Sequence, residues 1–291
     1  MTPEQVRREE ELSATVLASF EATPDVRLRT VLTSLTEHLH AFVREVRLSE
    51  DEWQAAIDFL TATGHITDER RQEFILLSDV LGISMQTVTV NNAAHGEATE
   101  STVVGPFFVA ESPRIENGDD LAAGAPGEPC WVEGTVTDTS GRPVSAARLD
   151  VWEADDEGRY DVQYSDGRTT ARAHLFTDRS GAYRFWALTP TPYPIPDDGP
   201  VGALLKATNR SPMRVPHLHF KASADGLRTL VTHAFVRGAE LAGDSVFGVR
   251  ESLVRDFQRL PPDAPTPDGR VIESDSWTRA RFDIVLAPLP G

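Results

Sequence analysis

The sequence predicts an α+β protein of mainly β character, with an amino-terminal helical region over residues 1–100 and an antiparallel β-sandwich over 101–291. Two observations carry this reading. Up to about residue 81 the apolar residues recur at threes and fours, the period of a helix with one buried stripe. From about Gly127 the texture changes to short runs of valine, threonine and aromatics broken by Asp, Gly and Pro, with no helical pattern between most of them. The length agrees: 291 residues exceed the roughly 150 expected of one domain.

The elements follow in order. Thr2-Pro3-Glu4-Gln5 is a helix start with proline in the first turn. Leu28, Val31, Leu32, Leu35, Leu39, Phe42, Val43 and Val46 form the stripe of a second helix. Ser49-Glu50-Asp51-Glu52 is a capping box ahead of Trp53, Ile57, Phe59 and Leu60, and Thr63-Gly64 is the expected stop. Residues 69–81 carry another stripe through Phe74, Leu77 and Leu81. In the second half, residues 131–138, the turn Ser140-Gly141-Arg142-Pro143, and residues 147–152 read as strand, turn, strand. Residues 181–186 read as a further strand, 245–260 as a late helix, and the final run as a strand in which Ala280, Phe282, Ile284 and Leu286 share a face.

Composition excludes several classes of partner. Forty-five acidic against twenty-eight basic residues give a formal charge of −17, which opposes binding to nucleic acid or an anionic membrane. No apolar run approaches the roughly 20 residues that span a bilayer, and the amino terminus lacks the pattern of a signal peptide. A cytoplasmic protein is expected. The one cysteine, Cys130, cannot make an internal disulfide and reads as a small buried hydrophobe.

The most informative motif is Arg214-Val215-Pro216-His217-Leu218-His219-Phe220. On a strand, residues two apart point the same way, so His217 and His219 could offer imidazole nitrogens to one metal ion. Glu37-His38-Leu39-His40 has the same spelling in a helical context, where positions two apart lie about 200° apart and cannot readily share an ion. His65, His95 and His174 receive no metal role. Of the four tyrosines, Tyr160 and Tyr193 stand in polar turns, Gly158-Arg159-Tyr160-Asp161 and Thr191-Pro192-Tyr193-Pro194. Imidazoles with carboxylates suit divalent iron or zinc, whereas phenolate oxygens are hard anionic donors that suit a trivalent ion. Taken singly, each tyrosine is a packing residue, and each histidine a strand residue with its hydrogen bonds made.

Gly158-x-Tyr160, Pro192-Tyr193-Pro194 and Arg214-x-Pro216-His217-x-His219-Phe220 together resemble the ligand pattern of the intradiol ring-cleaving dioxygenases, non-haem ferric enzymes that open catechols between the two hydroxyl-bearing carbons. The resemblance covers nearly the whole chain. Residues 73–79, 99–107, 193–202 and 232–236 are similar, more narrowly, to the hydroxyquinol 1,2-dioxygenase branch. It implies one Fe(III) per subunit held by Tyr160, Tyr193, His217 and His219, with Tyr193 displaced when the diol chelates. It also implies that both atoms of O2 enter the ring of hydroxyquinol, giving 3-hydroxy-cis,cis-muconate and then maleylacetate in aromatic catabolism. Arg214 matches the arginine that stabilises charge on the ring, and His233 stands fourteen residues after His219, where many relatives have glutamine. The substrate pocket would be lined by Leu76, Asp79, Val103, Gly105, Pro106, Phe107, Ile195, Pro196 and Val246, with Asp79 reading the third hydroxyl. The helical region would form a homodimer interface and link it to the catalytic sandwich, and it leaves room for a structural phospholipid there.

Two stretches depart from the pattern. Residues 169–174, Thr-Thr-Ala-Arg-Ala-His, replace an Arg-Gly pair, and residues 237–241 replace Gly-Asp-Pro-Tyr. Both bear on substrate fit, so catechol, chlorocatechol or a substituted hydroxyquinol stays open. A non-enzymatic transthyretin-like sandwich is the reading from another class, but it has no use for the two tyrosines and two histidines together. A zinc hydrolase uses the histidines and wastes the tyrosines.

Overall fold

The computed structural model describes residues 2–69, 71–92, 96–238 and 243–289. His95 and residues 239–241 therefore lie outside the described residues. The chain divides into two compact units, residues 1–61 and 62–291.

In the first unit, helix α1 (Pro3–Ala18) starts on Thr2, whose hydroxyl accepts from the Gln5 amide, and helix α2 (Val26–Val46) starts on Asp25, which accepts from Leu28. Helix α3 (Glu50–His65) opens with the expected capping box: Ser49 Oγ accepts from the Glu52 amide at 3.2 Å, and Glu52 returns the bond to the Ser49 amide at 2.8 Å. Ser13 on α1 contacts His40 Nδ1 at 2.9 Å and accepts from Arg44 at 2.6 Å, and Arg47 pairs with Glu9. No residue of α1 or α2 is buried. The α2 stripe of Leu28, Val31, Leu35, Leu39, Phe42 and Val46 lies about half exposed.

The second unit is a sandwich with three helices at its edge. Helices α4 (Glu73–Val80) and α5 (Ile83–Asn92) precede strands β1 (Pro129–Asp138), β2 (Arg148–Trp152), β3 (Arg172–Phe176), β4 (Ala182–Leu188) and β5 (Tyr193–Pro194). Helix α6 (Pro200–Ala207) follows, then β6 (Met213–Arg214), β7 (His217–Ser223), β8 (Leu230–Val236), β9 (Val254–Arg255), β10 (Phe257–Leu260), β11 (Trp277–Arg281) and β12 (Ile284–Leu286). One sheet runs β10-β11-β1-β12 with β4 on the other side of β1, the second runs β3-β2-β7-β8-β9, and β5-β6 is a separate two-stranded ladder. The faces of the two large sheets bury Val132, Val136, Leu149, Val151, Phe185, Leu218, Phe220, Phe235, Phe282 and Ile284 between them.

Most pairings are antiparallel, but β1 pairs with β11 and β12, and β8 with β9, in parallel. Long connections free these pairs from the tight turn that forces antiparallel order. The final run is a single return past β1, interrupted at Phe282 and Asp283. A Cβ on Gly134 would lie 2.0 Å from the Phe282 carbonyl oxygen, so only glycine lets the break pass. Ala280, Phe282, Ile284 and Leu286 are all buried, as the alternation predicts.

The late helix expected over 245–260 is absent. Glu251–Leu253 is a single 3-10 turn, and the flanking segments are β9 and β10, whose backbone bonds go to β8 and β11. Sheet edges satisfied these groups where an isolated helix would have had little to pack on. Helix α5 lies inside the expected helical region 1–100; α6 falls in the part expected to be all sandwich, although Gly199-Pro200 is a helix start with proline at its first position. Glu73, fully buried at the start of α4, accepts from the Val201 amide at 3.0 Å and so ties α6 to α4. Among the described residues no single helix is long and apolar enough to cross a membrane.

Candidate metal centre

Strand β7 places His217 and His219 on one face, as its period of two requires, and both are buried. Tyr193 on β5 pairs in register with Arg214 on β6, which brings the second tyrosine turn beside the start of β7. Tyr160 precedes the short 3-10 turn Asp161–Gln163, and its amide donates to Gln163 Oε1 at 2.8 Å. Gly158, at φ +75°, is the reason the two tyrosine turns can touch: a Cβ there would stand 2.7 Å from Tyr193 Cβ.

Four donor atoms converge. Tyr160 Oη lies 2.8 Å from Tyr193 Oη and 2.9 Å from His219 Nε2; His217 Nε2 lies 3.1 Å from His219 Nε2 and 3.4 Å from Tyr193 Oη. His217 Nδ1 donates to the Val215 carbonyl at 2.6 Å, which leaves a bare lone pair on Nε2. Burial pushes both imidazoles well below their ordinary value, so they are neutral and free to act as donors, with Arg214 and, for His219, the neighbouring rings adding to the effect. Burial pushes the Tyr160 phenol well above its ordinary value, with Tyr193 adding to this, and raises Tyr193 against the opposing charge of Arg214. Four electron-rich atoms spaced as the edges of a polyhedron with bonds of about 2 Å can hold one cation, which would also reverse the phenol shifts.

Around these atoms, Trp152 stacks on His219 at 4.6 Å and Phe107 stacks on Tyr160 at 4.6 Å. His233 stands opposite His219 in the β7–β8 register, bonds Thr102 through Nδ1, and leaves Nε2 buried without a protein partner. Its ligand atom and those of His217 and His219 all lie within 4.8 Å of one another. Arg214 is buried, donates from Nε to Asp244 at 2.7 Å, and keeps Nη2 unpartnered.

The apolar sequence-nominated pocket residues fall in three packing clusters. Leu76 and Ile195 pack together with Val80, Val201 and Leu205; Phe107 packs with both tyrosines; Val103 and Val246 pack with Met85. A cavity of about 670 Å³ is lined by Leu76, Pro106, Phe107, Gly158, Ile195 and Pro196, with Arg71 and Arg159 among its charged groups. Asp79, Val103, Gly105 and Val246 do not line it. A Cβ on Gly105 would lie 3.5 Å from His219 Cε1, which places that glycine against the donor cluster. Asp79 is buried with Oδ1 unpartnered, and burial pushes its carboxyl up to about 6 against the pull of Ser84 and Arg214.

Sequence reasoning missed Asp244, Trp152 and the buried pair Arg172–Asp161. Arg172 lies in the departing stretch 169–174; it donates to Asp161 at 2.6 Å and to the Phe107 carbonyl at 2.8 Å, and so fixes the residue after Tyr160 to the pocket wall. None has a local signal, because each partner is distant in sequence. His38 is exposed on α2 and bonds its own helix at Ser34.

Residues 25–99 match the family model for the catechol dioxygenase N terminus, and residues 103–288 match the dioxygenase model. The chain is 64% identical over 287 residues to hydroxyquinol 1,2-dioxygenase of Rhodococcus opacus, covering 98% of this chain and 96% of that one. It is 66% identical over 289 residues to the enzyme of the same name from Nocardioides simplex, covering 99% and 98%. Among solved structures, hydroxyquinol 1,2-dioxygenase from Pseudomonas putida DLL-E4 superposes with a TM-score of 0.87 at 41% identity, covering 97% of this chain and 99% of that one. Catechol 1,2-dioxygenase from Pseudomonas arvilla C-1 superposes with a TM-score of 0.82 at 26% identity, covering 97% and 92%.

Proposed function

The chain belongs to the catechol dioxygenase family of intradiol ring-cleaving enzymes, and on that premise we propose that it inserts both atoms of O2 between the hydroxyl-bearing carbons of hydroxyquinol. The observation that carries the site is the convergence of Tyr160, Tyr193, His217 and His219; the charge of Arg214 acts on both phenols and that of Asp79 on Tyr193, and Arg214 Nη2 and Asp79 Oδ1 are each buried and unpartnered. We assign the four as ligands of one Fe(III), since two phenol oxygens and two neutral imidazoles suit a hard trivalent ion better than zinc. Ferric iron supplies, when bound, the Lewis acidity that draws electron density from a chelating diolate ring.

The chain's own groups supply the rest. Tyr193 Oη is the more loosely held phenol, 3.4 Å from His217 Nε2 against 2.9 Å for Tyr160 and His219, so it is the group we assign to leave and take up a substrate proton. Arg214, held charged in a buried setting, faces negative charge that builds on the ring. His233 offers a neutral Nε2 to polarise an oxygen atom at the same place. Leu76, Phe107, Ile195 and Pro196 give the ring apolar walls that exclude water. Asp79, one helical turn from the cavity-lining Leu76, is the acceptor we assign to the third hydroxyl, a hydrogen bond whose loss on burial costs about 1–3 kcal/mol.

The test joins colour to selectivity. Iron-loaded protein should be red to purple, and its visible band should shift when hydroxyquinol is added without oxygen; a protein that stays colourless after ferric reconstitution overturns the ligand assignment. Replacing Asp79 with leucine should shift kcat/KM from hydroxyquinol towards catechol by roughly 10-fold or more. An unchanged ratio would remove Asp79 from substrate recognition.

A further inference from the structure

Asp244 lies in the turn between β8 and β9 and touches two elements of the proposed site with opposite oxygens. Oδ1 accepts from Arg214 Nε at 2.7 Å, with both side chains only 3% exposed, and Oδ2 accepts from the Gly248 amide at 2.8 Å. The turn it closes is tight. Phe247 sits at φ +59°, a left-handed conformation that a phenylalanine adopts only when its surroundings hold it, and its amide donates to the Asp244 carbonyl. Val246, one residue earlier, is buried against Met85 and Val103. The Ser245 amide donates to the Met213 carbonyl, so backbone also joins this turn to the strand that carries Arg214.

We infer that Asp244 is a positioning residue: one carboxylate fixes both the direction of the Arg214 guanidinium and the turn Asp244–Gly248 beside it, so that the charge-stabilising group and that turn are set as one unit. Holding Nε leaves Nη2 free of protein partners. A carboxylate is required because both neighbours are donors, and an amide would turn its own N–H groups towards one of them. Gly248 closes the arrangement from the other side: a Cβ there would lie 3.4 Å from Asp244 Oδ2 and 3.8 Å from Arg214 Nη2.

The inference rests on the reading of Arg214 as the residue that stabilises charge on the ring, and the experiment separates the two. Full-length iron-loaded Asp244→Asn, Asp244→Glu and Arg214→Lys are compared for turnover of hydroxyquinol and catechol, and for the visible spectrum of the anaerobic hydroxyquinol complex. Asp244→Asn should lower kcat roughly 10- to 100-fold, since displacing a charge-stabilising group by about 1 Å costs that much. KM should change less than about threefold, because binding through the metal persists. The spectrum of the anaerobic complex and the hydroxyquinol-to-catechol ratio should shift with kcat. Asp244→Glu keeps the charge but carries the carboxylate one methylene further into a site where both side chains are only 3% exposed, so it should move all three readouts in the same direction but less far, and it carries the test if Asp244→Asn does not fold. A folded, iron-loaded Asp244→Asn, or Asp244→Glu in its place, with wild-type kcat, spectrum and ratio overturns the proposal and leaves Asp244 a structural ion pair. Wild-type kcat in Arg214→Lys overturns the reading of Arg214 itself.

Discussion

At the scale of the residue, Asp79 shows how a site group differs from a core group. Its carboxyl is buried on a helix whose other inward residues are mostly apolar, and it titrates near 6 instead of the ordinary 3.8 because burial disfavours its charge. The folded form therefore holds a proton between about pH 4 and 6 that the unfolded chain has released. Raising pH through that window removes stability, which stays lost at neutral pH. Asp79→Asn should accordingly raise the midpoint of thermal unfolding at pH 7, with an upper bound of roughly 3 kcal/mol, and should flatten the slope between pH 4 and 6. A variant no more stable than the wild type at pH 7 would mean that the carboxylate is compensated in the fold. The cost of keeping an acid there is what substrate recognition would explain.

At the scale of the element, the sandwich is organised by where strands stop as much as by where they run. The return of β11 and β12 past β1 is broken at Phe282, whose carbonyl accepts from the Tyr183 hydroxyl and crosses the backbone at Gly134. Gly134→Ala should lower stability by about 3 kcal/mol, read by urea unfolding, because the methyl meets backbone that cannot yield like a side chain. A loss below about 0.5 kcal/mol would mean that the break can move along the strand. The same sheet edges explain the missing late helix: Val254, Phe257 and Leu260 had unpaired strands beside them, and tertiary pairing outweighed local periodicity. Likewise the two-residue ladder β5–β6 is too short to stand out in a sequence, yet it sets Tyr193 opposite Arg214.

At the scale of the whole molecule, the first unit carries an apolar face with nothing over it: Leu35, Leu39, Phe42 and Val46 of α2 are each about half exposed. A contiguous apolar stripe of this kind is a surface for association, and we assign it to a homodimer contact through the helical region. Leu35→Glu combined with Phe42→Glu should shift the sedimentation coefficient to that of a 31.9 kDa monomer. Unchanged sedimentation would refute that assignment. The formal charge of −17 opposes binding to anionic surfaces.

The sequence by itself determined what is local and periodic: the capping box at Ser49, the proline start of α1, the strands around the turn 140–143, and the shared face of His217 and His219. Each depends on neighbours within a few residues. The tyrosines entered through likeness to a family, since no spacing rule links Tyr160 to Tyr193 or either to β7. Only the tertiary structure decided that their oxygens and the two imidazoles stand within 3.4 Å of a neighbouring donor. It alone revealed Asp244 under Arg214, Arg172 against Asp161, and the left-handed turn at Phe247. A lone pair or a charge acts through space, and the distance between two side chains is fixed by the path of the whole chain between them.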